Sequence, residues 1–323
     1  MQHSTQSDTP DQDSLRAAAH AGDGRASARL GDLYRNGESV EQDWDEAFRW
    51  YSLGASQGNA DAQSNLGTMF LRGFGCTADQ ARAVSWYRRS AEQGYVAGQF
   101  NLAERYLRGE GVAPDLAEAF EWFSAAARQG DMASACRVGT MYRFGQGVER
   151  NVLAAANFHV IAATAGFVAA QAELGEYLDE LQEIALSGNQ TASWFLCLIH
   201  NRGLGVEKSQ ALTWTWIKWA KEHCTPSDHA PEAAEVDEMY TLGRMCIMDE
   251  SREEGDRVLE SLLEPLRRTP SGRAAAERRR SVPSRQGSSR TKASGSPRPP
   301  VRRGRERKQT RRAAQPRKRD SSS

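Results

Sequence analysis

Small, apolar and aromatic positions recur along the first two hundred residues at one fixed step. Gly22, Gly58, Gly94, Gly130 and Gly166 stand 36 residues apart, and other positions keep the same interval. Leu30, Leu66, Leu102, Val138 and Leu174 are each followed by a small residue, Gly31, Gly67, Ala103, Gly139 and Gly175. Four positions beyond the Leu come Tyr34, Phe70, Tyr106, Tyr142 and Leu178. A second block keeps step with the first: Ala47, Ala83, Ala119 and Ala155; Trp50, Trp86, Trp122 and Phe158; Ala55, Ala91, Ala127 and Ala163. Self-similarity at so many positions marks an array of like structural units.

One copy, residues 59–94, contains two amphipathic stripes. Ala62, Leu66, Met69 and Phe70 fall on one helical face, and Ala83, Trp86, Tyr87, Ser90 and Ala91 fall on another. Gly73-Phe74-Gly75 between them stops the first helix and turns the chain, and Gly94 stops the second. Each unit is therefore a helix hairpin. Gly67 lies inside the first helix, where it costs roughly 1 kcal/mol relative to Ala, so a missing side chain is needed there. The spacing predicts that a ring from the second helix, Trp86 or Tyr87, packs over the gap. One hairpin cannot bury both of its faces, so neighbours must stack into a solenoid.

The stretch A-x-x-x-L-G-x-x-Y-x-x-G-x-G, as in Ala62 to Gly75 with Phe70 in the Tyr place, and A-x-x-W-Y-x-x-x-A-x-x-G, as in Ala83 to Gly94, resemble the Sel-1-like repeat family, relatives of the tetratricopeptide repeats. Copies at 23–58, 59–94, 95–130 and 131–166 fit, and Leu15 to Gly22 reads as the second helix of an incomplete leading unit. The resemblance implies an all-α fold, a right-handed superhelical solenoid of helix pairs. In most members it implies an adaptor or scaffold role for other proteins.

The pattern weakens beyond the fourth copy. Phe167 to Leu178 continues as the first helix of a fifth unit, but the G-x-G turn is missing and the chain is expected to run straight on through Asp179-Glu180-Leu181 into Gln182 to Leu186. A degenerate copy resumes at Asn189, with Leu196, His200, Gly203-Leu204-Gly205, Ala211 and Trp214. Pro231 to Met248 and Arg252 to Leu266 read as two further helices that cap the open end of the stack. The expected organisation is a disordered N-terminus over 1–12, the solenoid over 13–224, capping helices over 225–268 and a disordered tail over 269–323.

Composition changes the picture at that last boundary. The chain of 323 residues has 42 Lys and Arg and 42 Asp and Glu, but Thr269 to Ser323 holds 18 of the bases and three acids. The tail is thus +15 and the preceding part −15. From Thr269 on there is no Leu, Ile, Phe, Tyr or Trp, and such a segment cannot offset its ordering entropy. Arg278, Arg279 and Arg280, then Arg302, Arg303 and Arg305, then Arg311, Arg312, Arg317, Lys318 and Arg319 concentrate positive charge that attracts polyanions. Nucleic acid, an acidic protein surface, an anionic membrane and the chain's own acidic solenoid are all open as targets. Lacking aromatic residues, the tail has no platform for stacking bases, so sequence-specific reading is not expected.

No apolar run is long enough to span a membrane, and the polar start, with Asp8, Asp11 and Asp13, has no secretory character. The five cysteines, Cys76, Cys136, Cys197, Cys224 and Cys246, have no regular spacing and read as reduced thiols. A cytoplasmic location follows, or a nuclear one in a eukaryotic cell.

Catalytic signatures are missing. There is no phosphate-binding G-x-x-x-x-G-K-[ST] loop, no H-E-x-x-H and no G-x-S-x-G, so the chain reads as a non-enzyme without cofactor. Cys197, His200, His223 and Cys224 have a loosely metal-like spacing, but the first two fill the small and aromatic slots of the repeat, and no metal is assigned. His159 stands in the slot of Tyr51 and Tyr87, and Trp194, Trp214, Trp216 and Trp219 read as core, with an exposed partner-binding Trp as the sharper alternative.

In tetratricopeptide-like stacks the first helix of each hairpin lines the inner groove. Carried over, that geometry points Arg29, Asn65, Asn101, Arg137 and Glu173 into the groove, joined by Asp32, Thr68, Glu104, Thr140 and Glu176 and, a turn later, by Arg35, Arg72, Arg108 and Arg143. Asn side chains can hydrogen-bond an extended backbone and Arg forks can hold carboxylates, whereas solvated polar positions and ion pairs between repeats are the plain alternative. The expected function is an adaptor binding a protein or peptide in this groove, with the tail as a second contact. The alternative is a nucleic-acid-associated factor whose tail binds DNA or RNA while the solenoid recruits a protein.

Overall fold

The computed structural model describes residues 12–223 and 249–268, all of whose regular elements are helices. A leading helix α1 (Gln12–His20) precedes four regular hairpins: α2 (Gly24–Asn36) with α3 (Trp44–Ser56), α4 (Ala60–Arg72) with α5 (Gln80–Glu92), α6 (Val96–Arg108) with α7 (Leu116–Arg128), and α8 (Met132–Phe144) with α9 (Val152–Thr164). Two short helices follow, α10 (Val168–Glu176) and α11 (Leu178–Leu186), then α12 (Gln190–Arg202) with α13 (Gln210–His223), and finally α14 (Asp249–Arg268). The expected helix over Pro231 to Met248 and the basic tail lie outside the described residues.

Local chemistry sets the ends. Every regular second helix opens on a side chain that accepts a backbone N–H, from Asp43, Asp79, Asp115 or Asn151. First helices close on a left-handed glycine, such as Gly73 at φ 72°. The second glycine of the turn has another duty: a Cβ at Gly75, Gly111 or Gly147 would overlap the carbonyl oxygen of Trp44, Gln80 or Leu116, the first residue of the second helix one hairpin back. The G-x-G pair therefore turns the chain and also lets one repeat touch the last.

Inside each hairpin a ring lies over a missing side chain. A Cβ on Gly67 would stand 2.8 Å from the Tyr87 ring, one on Gly31 would stand 2.6 Å from Tyr51, and one on Gly139 would stand 2.6 Å from His159. Of the two expected rings it is Tyr87 that fills the gap; Trp86 is only half-buried. The ring's polar tip is tethered back to the first helix, where the Tyr51 hydroxyl donates to Asp32 at 2.7 Å and that of Tyr87 meets Thr68 at 3.0 Å. The third hairpin pairs Ala103 with Phe123, both fully buried, and Phe123 has no hydroxyl to tether.

Between hairpins runs a row of glutamines that the periodicity did not single out. Gln63 donates to the Ala55 carbonyl at 3.2 Å and accepts from Gln93 at 2.7 Å; Gln99 donates to Ala91 at 3.4 Å and accepts from Gln129 at 2.8 Å. These bonds satisfy carbonyls at the end of one hairpin from the start of the next. Ala135 and Ala165 stand in the glutamine places of the fourth hairpin, so the row lapses there. Two large buried clusters, one around Leu66 and Leu102 and the other around Leu174 and Leu196, meet at the same α8–α9 hairpin.

Successive first helices pack on one another, α2 on α4 and α4 on α6, with α8 touching α10; no second helix packs comparably on the next. The side where neighbours lie closer is the inside of a curve, so the first helices line the concave face.

The fifth unit departs from the reading that the chain runs straight through it. The helix breaks at Tyr177 (φ −131°, ψ 25°), whose buried ring turns inward and puts its hydroxyl 2.8 Å from His159 Nδ1. Since α10 and α11 do not form a regular hairpin, α12 packs directly against α9. At the far end α14 docks on α13, where Asp256 takes Lys218 at 2.8 Å and the Trp214 indole at 3.1 Å, and Leu259 is buried. Trp214, Trp216 and Trp219 are buried and Trp194 is half-buried, so the four serve packing.

His159 is held neutral. Its Nε2 lies 3.1 Å from the Cys136 carbonyl, so a neutral ring donating there and accepting from Tyr177 satisfies both nitrogens. Burial pushes its pKa below the ordinary histidine value, outweighing the Cys136 carbonyl and nearby Glu173, which raise it.

Two outcomes follow. Gly67→Ala should cost about 1–3 kcal/mol in urea unfolding because the tethered Tyr87 ring cannot retreat. Added to Tyr87→Phe, which releases the ring as in the third hairpin, the same change should cost at least about 0.5 kcal/mol less than the two separate costs combined; strict additivity would mean that the tether does not hold the ring. Stability should also fall as pH drops below about 6.5, because the unfolded chain then binds a proton that folded His159 refuses, and the loss continues until the lowered folded pKa is reached. His159→Phe should flatten that dependence between pH 7 and 5 in thermal melts, leaving the share of His200, which burial shifts in the same direction.

Candidate functional site

The concave face is built from the outward positions of α2, α4, α6, α8 and α10, and the groove residues expected from the repeat fall on it in different conditions. Arg29 is exposed and pairs with Glu38 at 3.1 Å. Asn65 accepts from Arg35 at 3.1 Å and donates to Asp61 at 3.0 Å. Asn101 makes one long contact, 3.5 Å to the Ser64 hydroxyl. Arg137 reaches Glu104 at 3.1 Å, and Glu173 receives Arg143 at 3.0 Å.

The next row is mostly engaged inside the hairpins. Asp32 and Thr68 hold the rings of Tyr51 and Tyr87, and Thr140 donates to the Cys136 carbonyl at 3.1 Å beside His159. Glu104, 4% exposed, sits where the third hairpin has no ring hydroxyl to receive, and it is held instead by Arg108 at 2.8 Å and by Arg137. Glu176 is exposed and lends only its backbone carbonyl, to Arg143 at 3.4 Å.

The four arginines do not form one row. Arg35 and Arg143 share a register position, are half-buried and bridge to the next hairpin, at Asn65 and Glu173. Arg72 and Arg108 stand one residue later and are exposed; Arg72 has no partner among the described residues.

Two hollows open on this face near the starts of the first helices. One, of about 640 Å³, lies between α2 and α4 and is lined by Arg25, Arg29, Asp32, Asn59, Asp61 and Tyr95. The other, of about 420 Å³, lies between α6 and α8 and is lined by Tyr95, Val96, Phe100, Asn101, Asp131 and Ala133. Tyr95 is the wall they share. Its hydroxyl donates to Asp61 at 2.7 Å, and burial together with that carboxylate keeps it protonated well above the ordinary phenol range. Arg25, Asp61, Tyr95 and Phe100 were not singled out from the sequence, although Arg25 and Asp61 recur in register with Ala97 and Ala133 at the same 36-residue step.

The metal-like grouping does not assemble as a site among the described residues. Cys197 and His200 are buried in α12, burial pushes the Cys197 thiol up to about 12, and the His223 ring stacks on Trp219 at 4.1 Å. Cys224 lies outside the described residues, as do all the tail arginines. Among the described residues no three His, Cys, Asp or Glu side chains are placed to hold a metal ion, and no helix is long and apolar enough to cross a membrane.

Comparison with known proteins agrees with this architecture. Residues 24–59, 60–95, 96–131, 133–167 and 191–218 match the Sel1 repeat. The solved structure of a protective antigen present in uropathogenic Escherichia coli strains, displaying an SLR fold, is 29% identical with a TM-score of 0.50 over 83% of this chain. This chain spans 60% of the length of that protein. A Sel1 repeat protein from Oxalobacter formigenes is 28% identical, TM-score 0.47, over 66% of this chain and 99% of its own. A sel1 repeat protein from Klebsiella pneumoniae subsp. pneumoniae is 19% identical, TM-score 0.37, over 73% of this chain and 100% of its own. No curated protein matches significantly. With five repeats in sequence and helix hairpins stacked through the G-x-G turn, the chain belongs to the Sel1 repeat family.

Proposed function

We propose that the chain is a non-enzymatic adaptor that binds a protein segment along the concave face of its hairpin stack. Repeat arrays of this kind mediate protein interactions, and here the supporting observation is the pair of adjoining hollows on the inner face, separated by Tyr95. Arg25 and Asn101 line them with capacity to spare, since the Arg25 guanidinium has no partner among the described residues and Asn101 makes a single long bond; Arg72, exposed at the far end of α4, has no partner among the described residues either. Several shallow contacts of this kind give affinity by accumulation along an extended surface. The basic segment 269–323 supplies a second, electrostatic attachment, which raises the effective concentration of anything held in the groove.

A photo-crosslinking amino acid at Arg72 or Asn101 of the full chain, in nuclease-treated native lysate, should capture the same discrete protein from both positions, whereas one at Ser85 on the outer side of α5 should not. Capture from Ser85 alone would overturn the inner-face reading. The groove complex should weaken modestly with salt, whereas contacts made by the tail should fall steeply.

A further inference from the structure

The concave face changes character halfway along the stack. At three equivalent positions the first two hairpins carry Gly24 and Ala60, Arg25 and Asp61, Ala28 and Ser64. The next three first helices carry Val96, Met132 and Val168, then Ala97, Ala133 and Ala169, then Phe100 and Ala172, with Cys136 buried in the core at the corresponding place of α8. Val168 is 74% exposed, the barest of the large hydrophobic side chains described. An apolar ledge thus follows the starts of α6, α8 and α10.

The same ledge breaks the capping rule of the fold. First helices begin at Asp23, Asn59, Asp131 and Asn189 with a side-chain cap, but α6 begins at Tyr95 and α10 at Phe167 with none. Forgoing a cap costs about 1 kcal/mol, and local rules are broken in this way where function asks for it. Next to Tyr95, α6 and α8 do not close on each other as α2 and α4 do, and the Phe100 ring, edge-on to Phe123 at 5.5 Å, stands beside the 420 Å³ hollow between them.

Charge gives the ledge a direction. Helices α10 and α11 hold Glu173, Glu176, Asp179, Glu180 and Glu183 and no basic residue. Arg143 takes Glu173 and Arg150 takes Glu180, which leaves the other three without a cationic partner among the described residues. Glu176 lies two turns along the exposed face of α10 from Ala169. Resting on the inner-face reading, we infer that this ledge docks an extended segment of a partner protein that presents two or three apolar side chains to α6, α8 and α10 and a Lys or Arg to Glu176. Packed helices lie about 10 Å apart and an extended chain rises about 3.3 Å per residue, so a segment that crosses three first helices is at least about six residues long, and the spare hydrogen-bonding capacity of the Asn101 amide can hold its backbone. The chain's own tail matches the charge but offers only Val282 and Val301 as larger aliphatics, so it does not fill the ledge.

The test is a random peptide library displayed on phage and selected on the full chain, followed by titration of the synthetic winners. Enriched peptides should carry apolar residues within about seven positions and a basic residue at one end. They should bind Ala97→Glu and Val168→Glu about tenfold or more weakly, lose the basic preference on Glu176→Lys, and bind Ser85→Glu unchanged. Both glutamates fall in first helical turns, where acidic side chains are favourable, so helix content and melting temperature should hold. Peptides lost on Arg25→Glu or Arg72→Glu but not on Val168→Glu would overturn the ledge and leave the inner face standing. Peptides lost only on Ser85→Glu, or no enrichment, would overturn both. A synthetic peptide of residues 269–323 that binds and is lost on Val168→Glu would make the tail the occupant and overturn the assignment to a partner.

Discussion

Two helices lie closest where one of them presents little or no side chain, and in this chain a glycine meets that condition in three of the four regular hairpins, with Ala103 in the third. Gly31 beneath Tyr51, Gly67 beneath Tyr87 and Gly139 beneath His159 bring the pair together, and a fully buried ring contributes about 1.5–3 kcal/mol toward holding it. The choice of ring then governs the concave face. A ring with a polar tip draws a partner from the first helix and engages part of its hydrogen-bonding capacity, as happens to the half-buried Asp32, Thr68 and Thr140. Where the ring is Phe123, Glu104 is released from this duty and becomes the anchor for Arg108 and Arg137. A packing rule buried between helices thereby decides which polar groups a ligand can meet.

Much of this was legible in the sequence because a repeat states its rules several times over. Gly67 alone is a helix flaw; Gly67 in register with Gly31 and Gly139 is a design constraint. The same comparison found the hairpins, the turns and the degenerate copy at Asn189. It did not choose between Trp86 and Tyr87, since both lie on the buried side and only the direction of the Cβ vector separates them. It placed four arginines together that a one-residue offset divides into bridging and exposed pairs. The glutamine row escaped notice because Gln63 and Gln99 bond the backbone carbonyls of Ala55 and Ala91, which any residue at those places would offer. The break at Tyr177 was hidden for a similar reason, as no turn residue marks it and its cause is the His159 ring on another helix.

Groove position alone is a poor guide to availability. Of the expected contact residues, those nearest the hairpin interior are already committed to rings, carbonyls or ion pairs, and a ligand would have to displace these at a cost of an unsatisfied buried group. Of the uncommitted groups, Arg25, Arg72 and Glu176 stand at or near the ends of first helices, and Asn101 stands in the middle of α6. Asn101 shares its register with the bonded Asn65, and Glu176 shares its register with the engaged Thr68, so the neighbours each side chain meets separate the two sets more than register does.

The lapse of the glutamine row at Ala135 and Ala165, at the hairpin where the two buried clusters meet, makes the stack mechanically uneven. A stack of hairpins would bend as one spring if every joint were alike; a joint stitched by fewer hydrogen bonds is where such a spring flexes. That joint lies between the third and fourth hairpins, with α6 on one side and α8 on the other, because Gln171 resumes the row by donating to the Ala163 carbonyl at 3.4 Å. A ligand bridging α6 and α8 would also splint that joint, and occupancy of the inner face would then be coupled to the curvature of the array.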